Sequence, residues 1–155
     1  MSKRGHTGPG DVMMKNSKEI LSSILKTTQM GQVGIRSVLP SARAAAFRGA
    51  LESQLREYDA IETEAHNIAA RRGWVVEELP KSTETMADLM SRTRLTVGCT
   101  DSRIAAMMVQ GNTRGMIKGL KNLHRFDGGD QPVRQLGEKL LKCEDANIRQ
   151  MHPYL

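Results

Sequence analysis

Aromatic residues are scarce in this chain, whose 155 residues include one tryptophan, two tyrosines and two phenylalanines. Strands favour aromatic and β-branched side chains, whereas the ten methionines and the abundant alanines and leucines suit helices. The composition therefore predicts an all-α fold. The same scarcity leaves few aromatic side chains on which bases could stack. We therefore interpret the formal charge of +6 as a contribution to solubility and not as a sign of a nucleic-acid partner.

Cysteines and long apolar runs are also rare. Cys99 and Cys143 lie far apart and form no CxxC motif, which excludes a cysteine zinc site and a thioredoxin-type motif. Two isolated thiols are typical of a reducing compartment. The longest apolar run, residues 104–109, is far shorter than the roughly 20 residues that span a bilayer, and residues 1–11 lack the apolar core of a signal peptide. We therefore expect a cytoplasmic protein that has no membrane partner.

Caps and breakers predict where the helices begin and end. Residues 1–15 are polar and glycine-rich, which predicts a disordered tail before a single domain over residues 16–155. Asn16 and Glu19 have the spacing of a capping box, so the first helix is expected to begin there. Gly73 follows two arginines and is expected to end the second helix in the left-handed conformation.

Five helical segments follow from this pattern, and four of them are long. Their apolar positions recur at helical spacing, so these segments bury their apolar stripes best against one another. We predict an antiparallel four-helix bundle with an extra helical segment or a kink near residues 98–101. A hairpin and a long crossover are both open for the connection after the second helix. The predicted segments span about 17–39, 42–72, 82–97, 102–125 and 131–152.

Glycines occur inside two of these helices, where each one costs about 1 kcal/mol relative to alanine. Small residues at helical spacing let two helices pack closely, and close packing is the interpretation we adopt. Room for a ligand and an outward-facing dimer contact are the alternatives. The residues are Gly31, Gly34, Gly111, Gly115 and Gly119.

A polar layer is predicted at the centre of the bundle. Counting outward from the turns places small and polar side chains there, namely Thr27, Gln54, Tyr58, Cys143 and Asn147. Buried polar groups need hydrogen-bond partners. The layer is therefore either an internal hydrogen-bond network or the remains of a binding site.

Fragments of a carboxylate and histidine motif occur in the helices. Glu144 is followed three residues later by asparagine, and Glu62 is followed four residues later by His66. Over residues 16–152 the chain resembles the ferritin-like superfamily of four-helix bundles, many of which hold two metal ions with glutamates and Glu-x-x-His motifs. The stretch 104–112 is also similar to small uncharacterised helical proteins of Firmicutes, which implies no activity. Where the ferritin-like pattern implies a glutamate, the first helix carries Gln29 and Gln32, and the helix over residues 102–125 carries Gln110 and Asn112.

Neutral amides cannot balance the charge of two metal ions, so we expect the metal site to be absent or reduced. The leading hypothesis is a protein that acts through an unidentified protein partner or through homo-oligomeric assembly, without a cofactor. The first alternative is a single iron or zinc ion bound by Glu62, His66 and Glu144. The second is a basic DNA-associated bundle. No serine, cysteine or lysine has an activating neighbour by spacing, so we do not expect an enzyme.

Overall fold

The computed structural model describes residues 14–80, 100–126 and 128–155 of the chain. In these residues the fold is all-α, as predicted, and it comprises four helices and two short 3-10 turns. None of these four helices is both long enough and apolar enough to cross a lipid bilayer. The helices are α1 (Ser17–Val38), α2 (Ala45–Arg72), α3 (Asp101–His124) and α4 (Gln131–Met151), and the turns are Leu39–Ser41 and His152–Tyr154.

Local capping explains three of the helix ends. The Asn16 N–H donates to Glu19 Oε1 at 3.0 Å and the Glu19 N–H donates to Asn16 Oδ1 at 2.9 Å, which confirms the predicted capping box. Gly73 ends α2 with a φ of +64°, as predicted. Thr100 caps α3, because its hydroxyl oxygen accepts from the Arg103 N–H at 3.3 Å.

The beginning of α2 differs from the prediction by three residues. The chain makes a 3-10 turn over Leu39–Ser41, and α2 starts only at Ala45, after an N-cap alanine that offers no side-chain acceptor. The Asp101 carboxylate supplies the acceptor instead, since it accepts hydrogen bonds from the N–H groups of Arg43 at 2.8 Å and Ala44 at 2.9 Å. These two backbone donors hold the pKa of Asp101 below its usual range.

The contact made by Asp101 also fixes the order of the helices. Since the first residue of α3 lies beside the start of α2, these two helices run in the same direction. At the other end, the guanidinium of Arg72 pairs with the carboxylate of Asp130, which joins the end of α2 to the start of α4. The end of α2 and the start of α3 therefore lie at opposite ends of the bundle, which is the arrangement that the crossover alternative predicts.

Among the four described helices, the contacting pairs α1–α2, α1–α3, α2–α4 and α3–α4 are antiparallel, whereas α1 and α4 run in the same direction. The Lys15 N–H donates to the Arg125 carbonyl at 2.7 Å, so α1 begins where α3 ends. α1 packs against α2, α3 and α4, while α2 and α3 each pack against α4. The core lies between these helices, and its largest fully buried side chains include Leu21, Leu25, Phe47, Leu51, Ile61, Ile104, Leu136 and Met151.

Some predictions fall on residues that the structure does not describe. Residues 1–13 of the predicted tail, the predicted segment 82–97 and Cys99 all lie outside the described residues. Lys15, which the sequence assigned to the tail, is held against the end of α3 by its backbone hydrogen bond and by a 2.9 Å hydrogen bond from Nζ to Asn122 Oδ1.

Candidate functional site

The connector that follows α2 brings an acidic side chain back to the surface of the bundle. It runs beside α1, where the Glu77 N–H donates to Ser22 Oγ at 3.0 Å. Two residues later the Leu79 N–H donates to Gln29 Oε1 at 2.8 Å. Because Glu78 lies between these two anchored amides, its backbone position is fixed.

Glu78 meets two side chains of α2 at this position. Glu62 and His66 are four residues apart, so they lie on one face of the helix. His66 Nε2 is 2.8 Å from Glu78 Oε1, and ligand atoms of all three side chains lie within 4.8 Å of one another. Glu62 is half-buried, while His66 and Glu78 are exposed. We refer to these three residues as the Glu-His-Glu group.

Two buried glutamines of α1 hold the carboxylates of this group. Gln29 Nε2 donates to Glu62 Oε2 at 2.9 Å and to Glu78 Oε1 at 2.8 Å. Gln32 Nε2 donates to Glu62 Oε1 at 3.0 Å and to Asp59 Oδ1 at 2.8 Å. The sequence analysis identified both glutamines only as neutral residues where the ferritin-like pattern implies a glutamate. In the structure they are the donors that orient the carboxylates.

The third predicted ligand, Glu144, lies elsewhere. It projects from α4 into the bundle, where its carboxylate packs against Gly115 of α3 and 2% of the residue is exposed. In the Glu-His-Glu group its place is taken by Glu78. Sequence spacing could not reveal this, because Glu78 reaches His66 only through the path of the connector. The available signal was an acidic pair, Glu77 and Glu78, four and five residues after the glycine that ends α2.

A polar layer crosses the bundle interior at the level of Tyr58. The Tyr58 hydroxyl donates to Asn112 Oδ1 at 2.9 Å. Asn147 Nδ2 donates to the Tyr58 oxygen at 3.4 Å and to Cys143 Sγ at 3.7 Å. Three residues of the predicted layer are thus together, and Asn112 joins them. Asn112 lies three residues before Gly115, on the same face of α3, and this spacing could have assigned it to the layer.

Gln54 and Thr27 do not join these side chains. Gln54 is buried, and its Nε2 donates to Gln150 Oε1 at 2.8 Å, while its Oε1 has no hydrogen-bond partner in the described part of the chain. Thr27 is half-buried, whereas the neighbouring Thr28 is completely buried. One residue turns a helix by about 100°. A register that differs by one residue therefore places a different side chain in the core.

Burial sets the protonation of the interior layer. Desolvation raises the pKa of Glu144 to about 8, and its Oε1 finds no hydrogen-bond partner among the described residues. Desolvation is also the main reason that the pKa of Tyr58 is raised and that the pKa of Cys143 rises to about 12. At neutral pH the phenol and the thiol are uncharged and Glu144 is largely protonated, so the thiol is not activated as a nucleophile.

The interior does not offer the ligands that the ferritin-like resemblance implies. A site for two metal ions of that kind uses about four carboxylates. Among the residues that the structure describes, Glu144 is the single buried carboxylate, and Asn112 and Asn147 contribute neutral amides to the polar layer around Tyr58. A two-metal centre therefore does not fit the interior of this bundle.

Three of the five helix-interior glycines leave room for a side chain of a facing helix. A Cβ at Gly31 would lie 2.6 Å from the ring of Tyr58, and a Cβ at Gly115 would overlap the carboxylate of Glu144. At Gly119 it would lie 2.9 Å from a leucine methyl group of α4. At these three positions the absence of a Cβ lets a side chain of a facing helix pack against the helix backbone.

Gly34 and Gly111 are different. Apart from the neighbouring residues and backbone of its own helix, no heavy atom within the described ranges lies within 4 Å of the Cβ that either residue would gain. Gly111 is also exposed. The structure therefore does not place these two glycines at a close contact between described helices.

The two clusters differ in what they can bind. The interior layer is buried, whereas the Glu-His-Glu group is open to solvent and offers carboxylate and imidazole ligands. No protein-family model, no curated protein and no solved structure matches the chain. The function is therefore inferred from the geometry and chemistry of the side chains.

Proposed function

We propose that the protein is a ferritin-like helical bundle that binds one divalent transition-metal ion, iron or zinc, at the Glu-His-Glu group. The observation that carries the proposal is the convergence of Glu62, His66 and Glu78, whose ligand atoms lie within 4.8 Å of one another. One imidazole and two carboxylates suit both ions, and three protein ligands leave a coordination position for water.

The surroundings of the group support a metal ion. Carboxylates that bind metals are usually held by further hydrogen bonds, and Gln29 and Gln32 donate such bonds to Glu62 and Glu78. Bonds from zinc to oxygen and nitrogen are about 2.0–2.2 Å long, so ligand atoms around one ion stand about 3–3.5 Å apart. The 2.8 Å between His66 Nε2 and Glu78 Oε1 would have to widen by less than about 1 Å to admit the ion.

The order of the helices supports the architecture. Ferritin-like bundles contain one long crossover between two parallel helices. Here α2 and α3 run in the same direction, and the end of α2 and the start of α3 lie at opposite ends of the bundle. The proposed protein thus retains the ferritin-like order of helices while its metal-binding residues lie at the surface.

The test is metal analysis of untagged protein by elemental mass spectrometry, followed by calorimetric titration of chelator-stripped protein with Zn²⁺ and, without oxygen, Fe²⁺. We expect one ion per chain. His66→Ala and Glu78→Gln should each weaken binding by at least about tenfold, because each removes a ligand. His124→Ala and Glu52→Gln are the matched controls, since both change exposed residues outside the Glu-His-Glu group.

Circular dichroism of each variant establishes that the bundle is folded before affinities are compared. Unchanged affinity in both ligand variants would place the ion at another site and refute the proposal. Stripped protein that binds neither ion would refute it as well.

A second candidate function is homo-oligomeric assembly through α3. Ile117 and Leu120 are 50% and 43% exposed one turn apart, and the exposed cations Arg114, Lys118 and Lys121 are close to them in sequence. Repulsion between like charges opposes such a self-contact at low salt, and salt screens the repulsion. In light scattering, metal-free protein should associate more strongly as salt rises, and Ile117→Glu should abolish association. The DNA-associated alternative uses the same cations and predicts the opposite salt dependence for DNA binding.

A further inference from the structure

A groove of about 400 Å³ lies beside the first half of α1. Its walls come from three parts of the chain that are distant in sequence: the first half of α1 with the residues before it, the second half of α3, and the connector after α2. Its volume falls in the range of small-molecule sites, about 300–1,000 Å³. Among the described residues that line it are four lysines, Lys15, Lys18, Lys26 and Lys118.

The charges in this groove do not cancel. The four lysines face two carboxylates, Glu19 and Glu77, which leaves an excess of two positive charges. Both carboxylates already have partners, because Glu19 belongs to the capping box of α1 and Glu77 pairs with Lys26 at 2.5 Å. Lys18 and Lys118 extend from exposed positions on two different helices. An anion that entered the groove would therefore meet ammonium groups from two sides.

The amino end of α1 adds to the same potential. Its N-cap residue, Asn16, is part of the groove wall, and the partial positive charge of the 22-residue helix is concentrated at this end. Lys15 donates to Asn122 Oδ1 at 2.9 Å, which places its ammonium group at the wall shared by α1 and α3. An ammonium group has three donors, so this bond leaves others for a ligand.

We propose that this groove binds a small molecule that carries a phosphate or polyphosphate group. Lysine ammonium groups are strongly hydrated point charges that suit phosphate oxygens. Val75 of the connector, 85% exposed, borders the groove and offers an apolar contact for the remainder of the molecule. The cations converge on one concave site, whereas nucleic acid needs cations that follow an extended backbone.

Pyrophosphate and inorganic phosphate are the probes for this proposal. They are titrated calorimetrically into full-length, metal-stripped protein at a constant ionic strength of about 0.15 M, so that general screening does not change. We expect saturable binding of one pyrophosphate per chain, tighter than that of phosphate because more charge is neutralised. His66→Ala should leave this binding unchanged, which separates the groove from the proposed metal site.

Charge-matched variants locate the binding. Lys18→Gln combined with Lys118→Gln should raise the dissociation constant for pyrophosphate at least about tenfold, since both ammonium groups face the ligand. Arg56→Gln combined with Lys142→Gln removes the same charge from exposed positions outside the groove and should change it less than about twofold.

Three results would overturn the proposal. The first is the absence of saturable pyrophosphate binding. The second is that both double variants weaken pyrophosphate binding equally, which would mean that binding depends only on net charge. The third is an oligonucleotide that binds more tightly per phosphate than pyrophosphate and depends on Lys121, which would identify the cations as a nucleic-acid surface.

Discussion

Replacing Gly31 with alanine tests a close contact between α1 and α2. The new Cβ would lie 2.6 Å from Cε2 and Cζ of Tyr58, whereas carbon atoms in contact normally stand about 3.5–4.0 Å apart. The ring cannot swing away freely, because Tyr58 is 3% exposed and its hydroxyl donates to Asn112 at 2.9 Å. Either the ring or the backbone of α1 therefore has to retreat by about 1 Å.

Two opposing effects set the resulting change in the free energy of unfolding. Alanine in place of an interior glycine stabilises a helix by about 1 kcal/mol. Overpacking in a core costs about 1–3 kcal/mol. Gly111→Ala is the reference variant, because Gly111 is exposed and no described atom of another helix lies within 4 Å of its new Cβ. Since the helix gain is common to both variants, Gly31→Ala should be less stable than Gly111→Ala by about 1–3 kcal/mol.

Urea denaturation followed by circular dichroism measures this difference. Equal stabilisation by the two substitutions would refute the reasoning, because it would mean that the contact with the ring carries no cost. In a Tyr58→Leu background the penalty of Gly31→Ala should shrink by about 1 kcal/mol or more, since the two residues are in contact. A penalty of the same size in that background would place its origin elsewhere than in the ring.

Glu144→Gln should flatten the pH dependence of stability. Burial raises the pKa of Glu144 from 4.5 to about 8, so the folded protein retains a proton that the unfolded chain loses, and the free energy of unfolding falls as pH rises through this interval. Urea titrations across the interval check this, and a glutamine variant with the same fall would contradict it. Metal binding should slow amide hydrogen exchange at Glu77 and Leu79, because the ion would tie Glu78 to α2. Unchanged exchange at saturating zinc, with zinc bound, would count against that link.

Features that depend on neighbouring residues could be predicted from the sequence. The capping box of Asn16 and Glu19 requires only residues three positions apart, and the left-handed end at Gly73 requires only a residue without a Cβ. The all-α fold follows from composition and helical spacing in the same way. The direction of α3 did not follow, because it depends on where a connection of 28 residues, 73–100, ends.

The candidate site was predicted in part for the same reason. Glu62 and His66 are one turn apart on a single helix, so their proximity is a property of the sequence. Glu78 completes the group only because the connector is anchored on α1, a tertiary feature. Thr27 was predicted in the polar layer but is only half-buried. Because α1 packs against three helices, its buried face is too broad to be predicted from a narrow stripe of residues.

Gly31 and the Glu-His-Glu group belong to the same contact between α1 and α2. Gly31 lies in the sequence between Gln29 and Gln32, whose amides both donate to the carboxylate of Glu62. Because Gly31 has no side chain, the ring of Tyr58, one turn before Glu62, rests directly on the backbone of α1. A side chain at that position would push the helices apart and lengthen the hydrogen bonds to Glu62. The glycine that weakens α1 locally thus permits both a packed ring in the interior and an oriented carboxylate at the surface.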